Sequence, residues 1–323
     1  MLTIDLVAGT RPNFVKIAAI LNAFKKLPSE KRNFKFRVIH TGQHYDSNMS
    51  GSFLEQLGIN IPDVNFNVGS GSHAEQTGEI MKKYEQLLTN EKSKACIVVG
   101  DVNSTLACAI VAKKTNLILG HVEAGIRSGD RKMPEEINRI LTDSITDLFF
   151  TTSRLASRNL EINGVNKEKI FFVGNTMVDT LMNNEKKFAQ PNLETFSDLE
   201  TKKYILCTLH RPSNVDNLKV LEKILQNITR VTFDIPLVFP VHPRTNLQIK
   251  RLDSLPKNFL FVEPQPYLQF MWLLKNSKAV ITDSGGISEE STFFSIPCIT
   301  LRDTTERPET VEVGTNILVG ENN

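Results

Sequence analysis

The sequence predicts an α/β protein of two parallel-sheet domains, and three observations predict it. Short apolar runs rich in β-branched residues alternate with amphipathic segments along the whole chain. This rhythm breaks once, at a polar stretch after Gly174, and then resumes. At 323 residues the chain is long enough for two cores. Strand and helix in strict succession build parallel sheets covered by helices on both faces.

In chain order the first strands are expected at residues 4–7, 36–39, 96–99, 117–122, 148–151 and 170–173. Residues 63–68 make a poor strand, being rich in Asn and Asp. The series stops at Gly174-Asn175-Thr176, and polar Asn183-Asn184-Glu185-Lys186-Lys187 and Gln190-Pro191-Asn192 follow. The boundary is set there, giving an N-terminal domain of residues 1–175 and a C-terminal domain of residues 176–323. The second series occupies residues 204–209, 237–241, 259–262, 279–282 and 298–301. Two Rossmann-like domains facing a cleft follow as the architecture, with no internal repeat and no low-complexity tract.

Composition excludes several classes of function. The 38 basic and 36 acidic residues leave a formal charge of +2 and are spread along the chain, so no nucleic-acid or lipid-binding face is expected. No apolar run approaches the ~20 residues of a membrane span, and the N-terminus lacks a signal-peptide pattern. A cytoplasmic protein is expected. Cys96, Cys108, Cys207 and Cys298 lie far apart without C-x-x-C spacing and read as buried thiols. No cluster of metal ligands stands out, and no metal or cofactor is expected. Gly69-Ser-Gly71-Ser-His-Ala74 fits a dinucleotide fingerprint, but it follows a poor strand and no ribose-binding acid ends a second one, so NAD is set aside.

Ligands of open parallel sheets collect outside the carboxyl ends of the strands, so the residues just after each apolar run matter most. Gly9-Thr10-Arg11-Pro12 follows the first run, with Lys16 one turn into the helix. Gly100-Asp101 and Gly120-His121-Val122-Glu123 place carboxylates at two further exits. Met133-Pro134-Glu135-Glu136 opens a helix with acids in its first turn, where the helix dipole favours them. In the second domain His210-Arg211-Pro212, His242-Pro243-Arg244 and Asp283-Ser284-Gly285-Gly286 each follow a strand. The paired glycines let backbone N–H groups approach an anion at a helix start, so a phosphate or pyrophosphate is the expected guest. Glu289 or Glu290, one turn on, is placed to accept hydrogen bonds from a ribose diol.

Gly9-Thr-Arg-Pro12 with Lys16, Thr41-Gly-Gln-His44, Gly100-Asp-Val-Asn-Ser-Thr105, His121-Val-Glu-Ala-Gly125, Pro134-Glu-Glu-Ile-Asn-Arg139, Ser284-Gly-Gly286 and Arg302-Asp-Thr-Thr-Glu-Arg-Pro-Glu309 together resemble the UDP-N-acetylglucosamine 2-epimerase family, non-hydrolysing type, across nearly the whole chain. The resemblance implies a glycosyltransferase-B-like fold, with UDP held by the C-terminal domain and sugar chemistry on the N-terminal side. It implies reversible epimerisation at carbon 2 to UDP-N-acetylmannosamine, by anti elimination of UDP and re-addition to 2-acetamidoglucal, without NAD. Asp101, Glu123 and Glu135 correspond to its acid/base candidates, and His210 would act at the diphosphate or leaving group. Arg11, Lys16, Ser284, Gly285, Gly286, Glu290 and Arg307 would hold the nucleotide and phosphates, and strand-exit placement adds His242. Gln43 and His44 match part of an allosteric site for a second UDP-N-acetylglucosamine, and a homodimer is implied.

The chain departs from the family pattern at His210-Arg-Pro-Ser-Asn-Val215, where many members have Arg-Glu-Asn after His-Arg, leaving the allosteric detail and sugar tolerance open. Members also continue past the Gly314-Thr-Asn-Ile-Leu-Val319 run into C-terminal helices, which are expected to be missing here. Two alternatives stand beside the epimerase. One is a hydrolysing relative releasing N-acetylmannosamine and UDP. The other is a UDP-sugar-binding protein or glycosyltransferase, against which the three acids argue.

Overall fold

The protein is described from a computed structural model covering residues 2–42, 47–191 and 199–320. It divides into two compact units, Met1–Asn183 and Asn184–Asn323. The first unit runs β1 (Leu2–Ala8), α1 (Arg11–Lys26), β2 (Phe34–His40), α2 (Ser47–Gln56), β3 (Val64–Asn65), α3 (His73–Asn90), β4 (Ala95–Val99), α4 (Asn103–Lys114), β5 (Ile118–Val122), α5 (Pro134–Ile145), β6 (Leu148–Thr151), α6 (Arg154–Ile162), β7 (Ile170–Phe172) and α7 (Thr176–Asn184). The second runs β8 (Ile205–Thr208), α8 (Pro212–Val215), α9 (Leu218–Thr232), β9 (Leu237–Pro240), α10 (Pro243–Ile249), β10 (Phe259–Val262), α11 (Tyr267–Asn276), β11 (Ala279–Thr282), α12 (Gly285–Phe293), β12 (Cys298–Thr300), α13 (Glu309–Glu312) and β13 (Asn316–Leu318).

Every apolar run becomes a strand, and all paired strands are parallel. The sheets are ordered β3-β2-β1-β4-β5-β6-β7 and β10-β9-β8-β11-β12-β13. Each therefore reverses its winding once, between β1 and β4 and between β8 and β11, and a crevice opens at such a point beyond the strand ends. Two short strands depart from the sequence reading: β3 falls where only a poor strand is expected, and β13 where none is. β3 lies at an edge, and its approach is fixed by Asp63, whose carboxylate accepts from the Val38 N–H at 2.7 Å. β13, three residues long, also sits at an edge.

The unit division falls beyond the expected boundary at Asn175 because α7 packs on the first unit: Leu181 is fully buried and the Thr180 hydroxyl donates to the Val15 carbonyl at 2.6 Å. α4 packs between α3 and α5 and is buried on nearly every side. Ala107, Ala109 and Ala112 keep that helix slim enough for the close approach, and Val7, Ile39, Val98 and Leu119 of the sheet join Tyr84 and Val111 in one core. In the second unit alternate β8 residues face opposite layers, Cys207 packing with Leu221 and Leu225 and Leu206 with Leu273 and Leu274. All four cysteines are buried free thiols, and burial raises each above the usual thiol range. Among the described residues no helix is long and apolar enough to cross a membrane.

Candidate functional site

In the first unit the site residues gather at the exits of β1, β4 and β5. Asn13 ties two exits together: its Oδ1 accepts from the Gly9 and Thr10 N–H groups at 3.1 and 3.0 Å, and its Nδ2 donates to the Val99 carbonyl at 3.0 Å. α1 thereby delivers Lys16, buried, into an ion pair with Glu123. Gly100 leaves room for that pair. Its φ is +71°, and a Cβ there would lie 3.3 Å from Lys16 Nζ and 3.5 Å from Glu123 Oε2. Glu123 itself has φ +73°, a conformation that costs a non-glycine residue about 1–3 kcal/mol and survives only where the surroundings impose it.

Asp101 Oδ2 lies 2.6 Å from Arg139 Nη1, and the Asp101 side chain keeps 31% of its surface exposed. Burial lifts its pKa above the ordinary carboxylate range, Glu123 and Glu135 push the same way, and Lys16 and Arg139 oppose them. Glu135 sits at the exposed start of α5, near enough for its charge to act on Asp101. Its neighbour Glu136 is buried, accepts from the Ser128 and Gly129 N–H groups at 2.9 and 3.2 Å, and pairs with Arg139 at 2.9 Å. Donated hydrogen bonds and the Arg139 charge hold Glu136 below the usual range although burial works against them. Arg11, exposed at the start of α1, lies over the Phe53 ring at 4.5 Å.

In the second unit the focus is the reversal between β8 and β11. Asp283, fully buried, accepts from the His210 and Arg211 N–H groups at 3.0 and 2.9 Å and from Asn214 Nδ2 at 3.1 Å, and lies 2.8 Å from His210 Nδ1. Burial would raise its pKa, but the His210 ring and these N–H donors hold it below the usual range. The His210 ring stays 42% exposed, its centroid 5.9 Å from that of His242. His242 caps α10, Nδ1 accepting from the Arg244 N–H at 3.2 Å.

α12 begins at Gly285 with no side-chain cap from Ser284. Its first-turn N–H groups, those of Gly285 and Gly286 included, have no partner within the helix. Beside them Arg302 forks onto Glu306 at 2.8 and 2.7 Å, and a Cβ on Gly285 would lie 3.3 Å from Arg302 Nη1. Arg307 is buried against Glu289 at 2.9 Å. That engages one of the two acids and leaves Glu290, 6% exposed, whose pKa burial and the Glu289 charge push up to about 8.

The structure thus brings Lys16, Asp101, Glu123 and Glu135 together in one unit, and His210 with His242, and Ser284, Gly285 and Gly286 with Arg302, in the other. Gln43 and His44 lie outside the described residues. Sequence reading missed Arg139, Glu136 and Asp283. The rule that flagged Asp101 and Glu123, a carboxylate at a strand exit, applies equally to Asp283. Arg139 carried a weaker signal, its spacing of three residues from Glu136. Gly69–Ala74 opens α3, where Ser72 and Glu75 exchange helix-capping bonds. Among the described residues no group of three or more His, Cys, Asp or Glu gathers as a metal site.

Two parallel Rossmann-like sheets with polar strand exits make this an α/β protein of the glycosyltransferase-B-like fold class. An O. sativa protein solved with UDP and deoxynivalenol-3-glucoside shares this fold at 11% identity, with a TM-score of 0.60 over 96% of this chain and 84% of that one. The sequence model of the UDP-N-acetylglucosamine 2-epimerase family matches residues 26–323, and the chain belongs to that family. The UDP-N-acetylglucosamine 2-epimerase of Methanocaldococcus jannaschii is 45% identical over 99% of this chain and 88% of its own length. A crystal structure of the M. jannaschii enzyme with UDP-GlcNAc and UDP superposes with a TM-score of 0.89, covering 99% of this chain and 89% of that one at 44% identity. A Pseudomonas aeruginosa relative, a UDP-2,3-diacetamido-2,3-dideoxy-D-glucuronate 2-epimerase, is 40% identical over 97% of this chain and 87% of its own.

Proposed function

We propose that this protein interconverts UDP-N-acetylglucosamine and UDP-N-acetylmannosamine by inverting carbon 2 of the sugar. The observation that carries the reading is the acid set of the first unit, Asp101 held on Arg139 and Glu123 held on Lys16, with Glu135 beside them. Carbon 2 bears no adjacent carbonyl, so its proton becomes removable only as the bond from carbon 1 to UDP loosens. One carboxylate takes that proton as UDP leaves, giving the carbon 1–carbon 2 double bond of 2-acetamidoglucal. UDP then adds back to carbon 1 while a proton returns to carbon 2 from the other face. Each positioned proton transfer contributes about 10² to 10⁴ in rate. The raised Asp101 carboxyl suits a group that must both accept and return a proton.

In this reading the α12 start and Arg307 hold the diphosphate, His210 steadies the departing charge, and Glu290 meets the ribose diol. A protonated carboxyl both donates and accepts, which matches a diol. His242 completes the anion-binding set of the second unit, and Arg11 supplies a cation in the first. On the family likeness the proposal extends to a homodimer and to activation by a second UDP-N-acetylglucosamine.

Proton NMR of UDP-N-acetylglucosamine with the protein in D₂O tests the reading. The manno isomer with deuterium at carbon 2 is expected. Free N-acetylmannosamine with UDP would replace it by the hydrolysing reaction. The P. aeruginosa relative favours a second substrate, a UDP-sugar with acetamido groups at carbons 2 and 3, which belongs in the same assay.

A further inference from the structure

The ring of His121 lies fully buried in β5, two residues before Glu123, and neither ring nitrogen has a role in the chemistry above. Its Nε2 is 2.8 Å from the Gly100 carbonyl oxygen and its Nδ1 is 2.7 Å from Asp143 Oδ1. A carbonyl oxygen only accepts, so Nε2 carries a proton. Asp143 Oδ2 takes the Gly125 N–H at 3.0 Å and Arg127 Nη1 at 2.7 Å, and these donors with the ring hold Asp143 ionised. The proton between ring and carboxylate therefore sits on Nδ1.

We infer that His121 is an imidazolium whose two N–H groups lock the β4 exit carrying Asp101 to the β5 turn carrying Glu123, making it a positioning residue for the carbon 2 chemistry. This rests on the epimerase reading. The charged groups around it agree with the assignment: Asp143 from α5, Glu123 on its own strand's exit, with Lys16 beyond Glu123, Arg127 beyond Asp143 and Asp101 next to Gly100. Burial alone would strip its charge, yet Asp143, the Gly100 carbonyl and Glu123 outweigh burial and raise its pKa. The lock acts beside a strained residue. Glu123 has positive φ, and Asp143 also fixes the Gly125 N–H just beyond it. Without the ring, the Gly100–Asp101 peptide loses its donor and the strained Glu123 turn is free to relax.

The full chain labelled with ¹⁵N in histidine rings, with His121 assigned through its backbone, reports the protonation directly. Two protonated ring nitrogens are expected at about pH 7.5, where an ordinary imidazole is mostly neutral. One deprotonated nitrogen at that pH overturns the proposal. Asp143→Asn and His121→Gln are expected to lower kcat about 10²-fold with little change in KM, as small misplacements of catalytic groups do. Folded variants with wild-type kcat overturn the positioning role. The NMR arm needs no turnover, so its failure is distinct from failure of the epimerase reading, which the unmodified enzyme decides alone.

Discussion

Asp101 and Glu123 each face a cation, Arg139 and Lys16 respectively. Asp101→Asn and Glu123→Gln are each expected to lower carbon 2 deuterium incorporation by about 10² to 10⁴. UDP affinity, measured by calorimetry, is expected to stay within about threefold, because these residues act on the sugar. Glu290 gives a pH signature. Its folded pKa of about 8 lies above its ordinary value, so the folded chain holds a proton there that the unfolded chain releases. Stability is therefore lost as pH climbs from the ordinary glutamate range to about 8. Glu290→Gln escapes that loss, and its melting temperature is expected to gain on the wild type between about pH 5 and pH 9. An offset independent of pH would show that Glu290 is ionised in the empty protein.

At the scale of elements, a polar side chain ties the two exits together at each winding reversal. Asn13 bridges β1 to β4, and Asp283, at the end of β11, gathers the residues after β8. Asp283→Asn removes the charge and leaves one acceptor oxygen for His210, Arg211 and Asn214. A loss of about 1–3 kcal/mol in denaturant unfolding is expected, with reduced turnover. Midway along the first sheet, Arg37 of β2 forks onto buried Asp5 of β1 at 2.8 and 3.0 Å, and Tyr84 of α3 donates to the same carboxylate at 2.9 Å. Arg37→Met strands Asp5 without its cation and is expected to cost about 3–5 kcal/mol, read from the unfolding midpoint. The elements themselves were largely legible, since central strands buried on both faces read as predominantly apolar runs, with Asp5, Arg37 and His121 as polar exceptions. Short edge strands such as β3 carry no such run and exist through their neighbours.

For the whole molecule, a ligand that binds only the folded chain adds RT ln(1 + [L]/Kd) to stability, about 2.7 kcal/mol at a hundredfold excess over Kd. UDP is expected to raise the melting temperature and to protect α12 and the β8 exit from hydrogen exchange. Protection confined to the first unit would contradict the assignment of UDP to the second. The sequence by itself determined the succession of strands, the two sheets and the carboxylates at the exits, because hydrophobic periodicity and strand-end chemistry are local properties. It could not separate Glu135 from Glu136, since adjacent helical residues point about 100° apart and only the packing of α5 decides which is buried. Nor could it show that Glu289 is taken by Arg307 while Glu290 is left, or that His121 stands between two acceptors. Those outcomes depend on groups distant in sequence converging through sheet order, and tertiary structure alone sets that convergence.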